Sequence, residues 1–114
     1  MKFFIFKFLI GIVLITLISF NGHAKKNQKV NPTLYKTVEI NGLDIFYRES
    51  GSKQNPTILL LHGYPTSSHM FRNLITKLSG KYHVLAPDYP GFGRSEQPDI
   101  KDFDYTFDNM SKII

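Results

Sequence analysis

Hydrophobic and polar positions follow three patterns along this chain. From Phe8 to Phe20 apolar residues run without a charge; from Lys36 they alternate with polar ones; from Thr57 they come in short continuous runs split by loops. The first run follows Lys2 and Lys7 and precedes Gly22 and Ala24, small residues at −3 and −1 to a cut after Ala24, as in an export leader. As a helix, Phe8–Phe20 spans about 20 Å, short of a ~30 Å hydrocarbon core; counted from Phe3 it is long enough, with Lys7 snorkelling. Residues 1–24 are therefore expected to be a cleaved signal peptide, or else an anchor in the inner membrane through residues 3–20. Either reading makes the export machinery a partner and places the remainder in the periplasm or outside the cell. Residues 25–35, beginning Lys25-Lys26-Asn27-Gln28-Lys29, read as a basic linker, a solvated tether.

The alternating segment predicts a hairpin over residues 36–49. Val38 and Ile40 share a face with Leu43 and Ile45, and Asn41-Gly42 between them is a strong hairpin signal because both turn residues favour positive φ. Ile40 is expected opposite Leu43, and Val38 opposite Ile45. Ser50–Pro56 reads as a polar turn. Thr57–Leu61 (TILLL) is continuous rather than alternating, as in a strand buried on both faces. Met70, Phe71, Leu74, Ile75 and Leu78 then fall at helical spacing, with Ser67 or Ser68 as N-cap and Gly80 past the end. Val84-Leu85-Ala86 is a second buried run ending at Pro87. A link of about twenty residues holding a helix suits a parallel crossover. The pattern predicts an α/β fold: an antiparallel hairpin plus one βαβ unit of a mostly parallel sheet. A last helix begins near Thr106.

Charge changes the picture only through its placement. The 114 residues carry a net +5, but residues 1–36 hold six lysines and no acid, whereas residues 37–114 hold eight basic and nine acidic residues. The folded part is nearly neutral, which argues against nucleic acid as a partner. The absence of cysteine excludes disulfides, thiolate metal sites and a cysteine nucleophile.

Two loops come after the C-terminal ends of the parallel strands, where open α/β sheets place their ligands. In His62-Gly63-Tyr64-Pro65, Gly63 allows a sharp turn and close approach to a ligand, and Pro65 is compatible with a cis bond that aims the Tyr64 amide outward. Such an amide is the raw material of an oxyanion hole. On these residues alone, an ordinary strand-to-helix turn with a hydrogen-bonded histidine is the simpler reading. The second loop, Asp88–Pro98, contains Gly91 and Gly93 but fits neither phosphate-binding fingerprint. Glu96 stands where a dinucleotide loop needs Gly or Ala, and no Gly-Lys-Ser/Thr occurs.

The stretch LLLHGYPTSSHMFRNLITKLSGKYHVLAPDYPGFGRSEQP resembles the start of an α/β-hydrolase. It is most similar to the branch of epoxide hydrolases and haloalkane dehalogenases, which carry His-Gly-x-Pro-Thr and then Asp-x-x-Gly-x-Gly-x-Ser. The resemblance implies that residues 36–114 are the N-terminal part of such a domain, acting on a small-molecule substrate without metal or cofactor. It implies that the Tyr64 N–H is an oxyanion-hole donor, with His62, Gly63 and Pro65 shaping its loop. Asp88, Gly91, Gly93 and Ser95 match the family's structural loop. Many dehalogenases carry a halide-holding Asn where this chain has Tyr64, so the residue fits an epoxide hydrolase or another hydrolase better.

In this family the nucleophile sits on a later strand-turn-helix elbow, and the acid and the general-base histidine come after it. No G-x-S-x-G occurs here, and Ser95 lies in the wrong loop. His62, His69 and His83 precede the place of the elbow, so none is assigned as base; His69 and His83 read as structural or exposed. One crossover helix covers one sheet face only, leaving Thr57–Leu61 and Val84–Ala86 largely uncovered on the other. The expectation is an incomplete fold, inactive by itself, from an exported epoxide-hydrolase-like enzyme. The alternatives are a fragment of a serine esterase or peptidase, and a small non-catalytic envelope protein that binds through the apolar sheet face.

Overall fold

The computed structural model describes residues 31–114; the expected leader and residues 25–30 of the linker lie outside the described residues. Asn41 and Gly42 take φ of 53° and 81°, the double positive φ of a tight hairpin. They join strand β1 (Leu34–Ile40) to β2 (Leu43–Ser50) in the expected register, Ile40 opposite Leu43 and Val38 opposite Ile45. β1 starts two residues before the expected boundary, because Leu34 and Tyr35 pair with Glu49 and Arg48. The linker's last residues are therefore sheet. Its Asn31 and Pro32 are docked too: both carbonyls accept from the Ser50 hydroxyl, and the Asn31 amide donates to the Ser79 carbonyl.

Strand β3 (Thr57–Leu59), a 3₁₀ turn (Ser68–Phe71), helix α1 (Arg72–Leu78) and strand β4 (His83–Pro87) form the crossover unit. β3 and β4 are parallel, β4 pairs antiparallel with β2, and the sheet order is β1-β2-β4-β3. β3 is shorter than the expected 57–61, although the Leu60 N–H still reaches the Leu85 carbonyl at 2.8 Å. Ser67 caps the 3₁₀ turn, its side chain accepting from His69 N–H. A second helix, α2 (Phe107–Ile113), starts after Thr106, whose hydroxyl caps Asn109 N–H.

The core lies between α1 and β4. Ile75, Val84 and Ala86 are fully buried, with Leu60, Phe71, Leu78 and Tyr82 packed round them. One expectation needs correction. Met70 and Leu74, read as part of the stripe, are 52% and 41% exposed: Met70 sits in the 3₁₀ turn before the helix, and Leu74 lies beside the face that Phe71, Ile75 and Leu78 turn to β4. The uncovered sheet face is as expected: Val84 and Ala86 are buried on the α1 side, whereas on the other face Leu85 is half-buried and Leu59 and Leu61 are each 47% exposed. β3 is one of the two edge strands and, among the described residues, pairs on one side only. β2 also buries a residue that the alternation did not favour: Phe46 stacks on Tyr35, with the Arg48 and Arg94 guanidiniums over its ring.

Candidate active site

Both chemistry-bearing loops leave the same end of the sheet, one after β3 and one after β4. Between them and α2 opens a cavity of about 820 Å³. Its walls are apolar and aromatic, including Leu59, Leu61, Tyr89, Phe92, Phe107 and Met110, and His62, Gly63 and Tyr64 form one side. Among the described residues no Asp, Glu, Lys or Arg lines it.

The first loop is held through a single carbonyl, that of Gly63. Gly63 O accepts from His62 Nδ1 at 2.9 Å, from Thr66 N–H at 3.1 Å and from the Thr66 hydroxyl at 2.8 Å. The Tyr64–Pro65 bond is cis, in line with the sequence expectation. Tyr64 is 86% exposed, and its N–H meets no acceptor among the described residues. Gly63 departs from expectation. Its φ is not positive, and a Cβ there would meet nothing, so the turn does not require glycine; the missing side chain leaves space beside the cavity.

The second loop is built on Asp88, which is 2% exposed. Its Oδ1 accepts from Ser68 N–H at 2.6 Å and its Oδ2 from Arg94 N–H at 2.9 Å. One carboxylate thus joins the start of the 3₁₀ turn to the far end of its own loop. Gly93, with φ of 57°, sits where a Cβ would collide with that carboxylate. Ser95 is buried: its hydroxyl donates to Asp88 O at 2.6 Å and accepts from Phe46 N–H at 2.9 Å. Its lone pairs and proton serve the backbone, so it is not an available nucleophile. Gly91 N–H closes the loop on Glu96 O at 2.8 Å.

His62 joins the two loops. It is 6% exposed, and Tyr89 N–H lies 3.1 Å from its Nε2, while the Tyr89 and Phe92 rings meet it edge-on at 4.8 and 5.6 Å. His69 is exposed, with Nδ1 3.5 Å from the Arg48 guanidinium. His83 stands apart from the cavity: Thr57 Oγ1 is 3.0 Å from its Nδ1, and Glu49 Oε1 is 2.9 Å from its Nε2. Glu49 also meets Lys36 and Lys53, and the hydrogen bonds from Lys36 and His83 hold its carboxyl well below the usual range, at about 2. Among the described residues no cluster of three or more His, Asp or Glu suits a metal ion. The sequence reading gives no site role to Thr66, to the Ser68 N–H (Ser68 enters only as a helix cap) or to the Tyr89 amide. Thr66, three residues after Gly63, carried a usable signal as a Ser/Thr turn; the other two act through backbone atoms, which residue identity does not reveal.

Comparison with known proteins fits this geometry. The sequence model of the alpha/beta hydrolase fold family matches residues 56–114. An uncharacterized hydrolase of Saccharomyces cerevisiae is 53% identical over 73 residues, covering 64% of this chain and 24% of the relative. A haloalkane dehalogenase of Bradyrhizobium diazoefficiens is 49% identical over 59 residues, 52% of this chain and 19% of the relative. The crystal structure of a haloalkane dehalogenase from Bradyrhizobium elkani superposes with a TM-score of 0.67 at 33% identity, over 72% of this chain and 27% of that one. A membrane phospholipase A, described as a bacterial virulence factor, gives 0.67 at 33% identity over 71% and 26%. The chain thus spans about a quarter of the length of the relatives it matches. With two loop motifs on the expected strand ends and a family match over its last 59 residues, the chain belongs to the α/β-hydrolase fold family, and haloalkane dehalogenases are among the members it is similar to.

Proposed function

We propose that residues 62–65 supply the oxyanion-binding side of a hydrolase that opens an epoxide through a covalent intermediate. The observation that carries this reading is the Tyr64 N–H: it lies beside an apolar cavity, in a peptide anchored by three donors, with no acceptor of its own among the described residues. A donor held in place before charge develops is worth about 3 kcal/mol or more of barrier when it meets an oxyanion. In the proposed sequence a carboxylate nucleophile forms an ester with the opened epoxide. Water, giving up a proton to a base, then attacks the carbonyl carbon of that ester, and the negative charge on its oxygen falls to the Tyr64 amide. Collapse breaks the ester C–O bond and releases the carboxylate and the diol, protonated on the leaving oxygen. No nucleophile, acid or base is assigned within this chain, which by this proposal is inactive alone. The leader read in residues 1–24 adds the proposal that the enzyme works outside the inner membrane or attached to it.

Dehalogenation is the second reading, supported by relatives whose names carry that activity. Against it stands Tyr64, at the position where many dehalogenases hold an Asn on the halide. Ester hydrolysis differs by a Ser nucleophile, and its support is the likeness to a phospholipase. The nucleotide sequence on the 3′ side of the Ile114 codon, read in three frames, separates the readings. An Asp elbow with a later His is expected; a Ser in G-x-S-x-G favours ester hydrolysis, and neither elbow nor a late His refutes all three. With an Asp elbow, the product of that locus is expected to hydrolyse styrene oxide faster than 1-bromobutane, and the reverse order selects dehalogenation.

A further inference from the structure

We infer that His62 is a positioning residue that works in a single neutral tautomer, locking the Gly63–Tyr64 peptide on one side and the Tyr89 amide on the other. The inference deepens the oxyanion proposal and takes its catalytic meaning from it, but the hydrogen bonds that carry it are independent of the reaction.

The tautomer is decided by which partners can give and which can only receive. A carbonyl oxygen only accepts, so the 2.9 Å contact from His62 Nδ1 to Gly63 O requires a hydrogen on Nδ1. A backbone N–H only donates, so the 3.1 Å contact from Tyr89 N to His62 Nε2 requires Nε2 to be bare. Only the Nδ1–H tautomer satisfies both. The other neutral form would set lone pair against lone pair at Gly63 and hydrogen against hydrogen at Tyr89. The imidazolium would keep the Gly63 bond and lose the Tyr89 one. At 6% exposure, with the Tyr89 and Phe92 rings edge-on to it, the imidazole has little water to replace either partner.

The consequence lies one atom further on. The carbonyl that His62 holds belongs to the same planar amide as the Tyr64 N–H. That amide is trans, the only cis bond among the described residues being Tyr64–Pro65, so its N–H points opposite to its C=O. Fixing the oxygen therefore fixes the direction of the hydrogen. Thr66 supplies the other two bonds to Gly63 O from within the same loop. His62 ties the peptide's orientation to a different loop, because its far nitrogen is bound to Tyr89, the residue after Asp88. It thereby sets the oxyanion donor relative to β4 rather than merely relative to its own turn.

The test uses the full 114-residue chain, labelled with ¹⁵N, in detergent micelles that accommodate its apolar N-terminal run. Long-range ¹⁵N–¹H correlation of the His62 ring is expected to report a protonated Nδ1 and a bare Nε2 at pH 7.5. A protonated Nε2, or a rapidly averaged pair, overturns the inference with no variant involved. Two substitutions then divide the functions. Asn places a donor near the Nδ1 position, and Gln places an acceptor near the Nε2 position. His62→Asn is expected to leave the Tyr64 amide resonance in place and to speed exchange of the Tyr89 amide about fivefold, the factor for one ordinary hydrogen bond. His62→Gln is expected to move the Tyr64 resonance and to spare Tyr89. Variants that disturb both amides alike make His62 a packing residue only. These readouts need no substrate, so a failed tautomer leaves the oxyanion proposal standing, and a failed oxyanion proposal leaves the tautomer standing.

Discussion

Replacing Asp88 with Asn gives a direct measure of how the two loops are held. The substitution keeps shape and volume but turns one acceptor oxygen into an NH₂. Asp88 now accepts from Ser68 N–H at 2.6 Å and from Arg94 N–H at 2.9 Å. Asn can satisfy one of them and must point hydrogens at the other. The two ends differ in worth. Ser68 is fully buried, so an orphaned N–H there costs about 1–3 kcal/mol with no water to compensate. Arg94 is exposed and its amide only partly buried, so water recovers part of that loss. The side chain will turn its oxygen toward Ser68 and leave Arg94 to solvent. What remains is one weakened charge-assisted bond, one lost bond and a buried NH₂ with no acceptor, together about 2–4 kcal/mol. For a folded unit of this size, 2 kcal/mol lowers Tm by about 8–16 °C. Thermal unfolding tracked by circular dichroism, with urea titration for the free energy, reads it directly. A fall in Tm below about 4 °C would mean that the carboxylate does not hold the loops together, and the geometric reasoning would be refuted.

Gly93→Ala is expected to be as damaging as Asp88→Asn by a different route: a positive φ of 57° and a Cβ driven into the Asp88 carboxylate, about 2–4 kcal/mol by urea unfolding. A loss under 1 kcal/mol would show that the loop yields. Ser95→Ala removes the acceptor of the buried Phe46 N–H and the donor to Asp88 O, with an expected loss of about 1–3 kcal/mol; an unchanged urea midpoint would count against that bridge. Glu49→Gln tests the ion cluster. The Glu49 carboxyl is held at about 2 against an ordinary 4.5, so its contribution is fully present above pH 4.5 and is lost as pH falls through about 2. The partner lysines are 37% and 75% exposed, and screening by water and salt reduces the full value to about 1–2 kcal/mol at pH 7. The wild-type and Gln proteins should converge in stability near pH 2, and a gap independent of pH would contradict the assignment.

The sequence displays those parts of the fold that depend on side-chain periodicity and turn chemistry. The Asn41-Gly42 pair and the alternation about it carry the hairpin register. The two continuous runs and the length between them carry the parallel β3–β4 pair. The failures occur where tertiary contact overrules the local pattern. Met70 and Leu74 obey helical spacing, yet Met70 falls in the 3₁₀ turn that leads into α1, and Leu74 flanks the contact with β4 that Phe71, Ile75 and Leu78 fill. Leu34 and Tyr35 belong to β1 because Tyr35 stacks on Phe46 across the pair, a contact that neither residue announces alone. In the site, residue type reveals His62, Tyr64 and Asp88 but not their partners, since Gly63 O, Tyr89 N–H, Ser68 N–H and Arg94 N–H are main-chain atoms.

That dependence on the main chain explains how a rigid donor can sit beside an open apolar cavity. Core packing contributes little to the 62–65 loop beyond the Tyr89 and Phe92 rings against His62, because the core of Ile75, Val84 and Ala86 lies between α1 and β4 and Tyr64 itself is exposed. The loop is fixed instead by polar bonds that converge on β4 and the loop after it: His62 to Tyr89, Ser68 to Asp88, and Ser95 to Asp88 and on to β2 at Phe46. β4 is paired on both sides and carries the fully buried Val84 and Ala86 against α1, so it is a stiff reference. β3, from which the loop departs, is a three-residue edge strand and is a poorer anchor. Anchoring the donor to the loop after β4, through a buried histidine and a buried aspartate, makes its direction independent of movement at the β3 edge. The proposed oxyanion role of the Tyr64 amide needs that independence, because an oxyanion is stabilised only by a dipole that is already aimed when the charge appears.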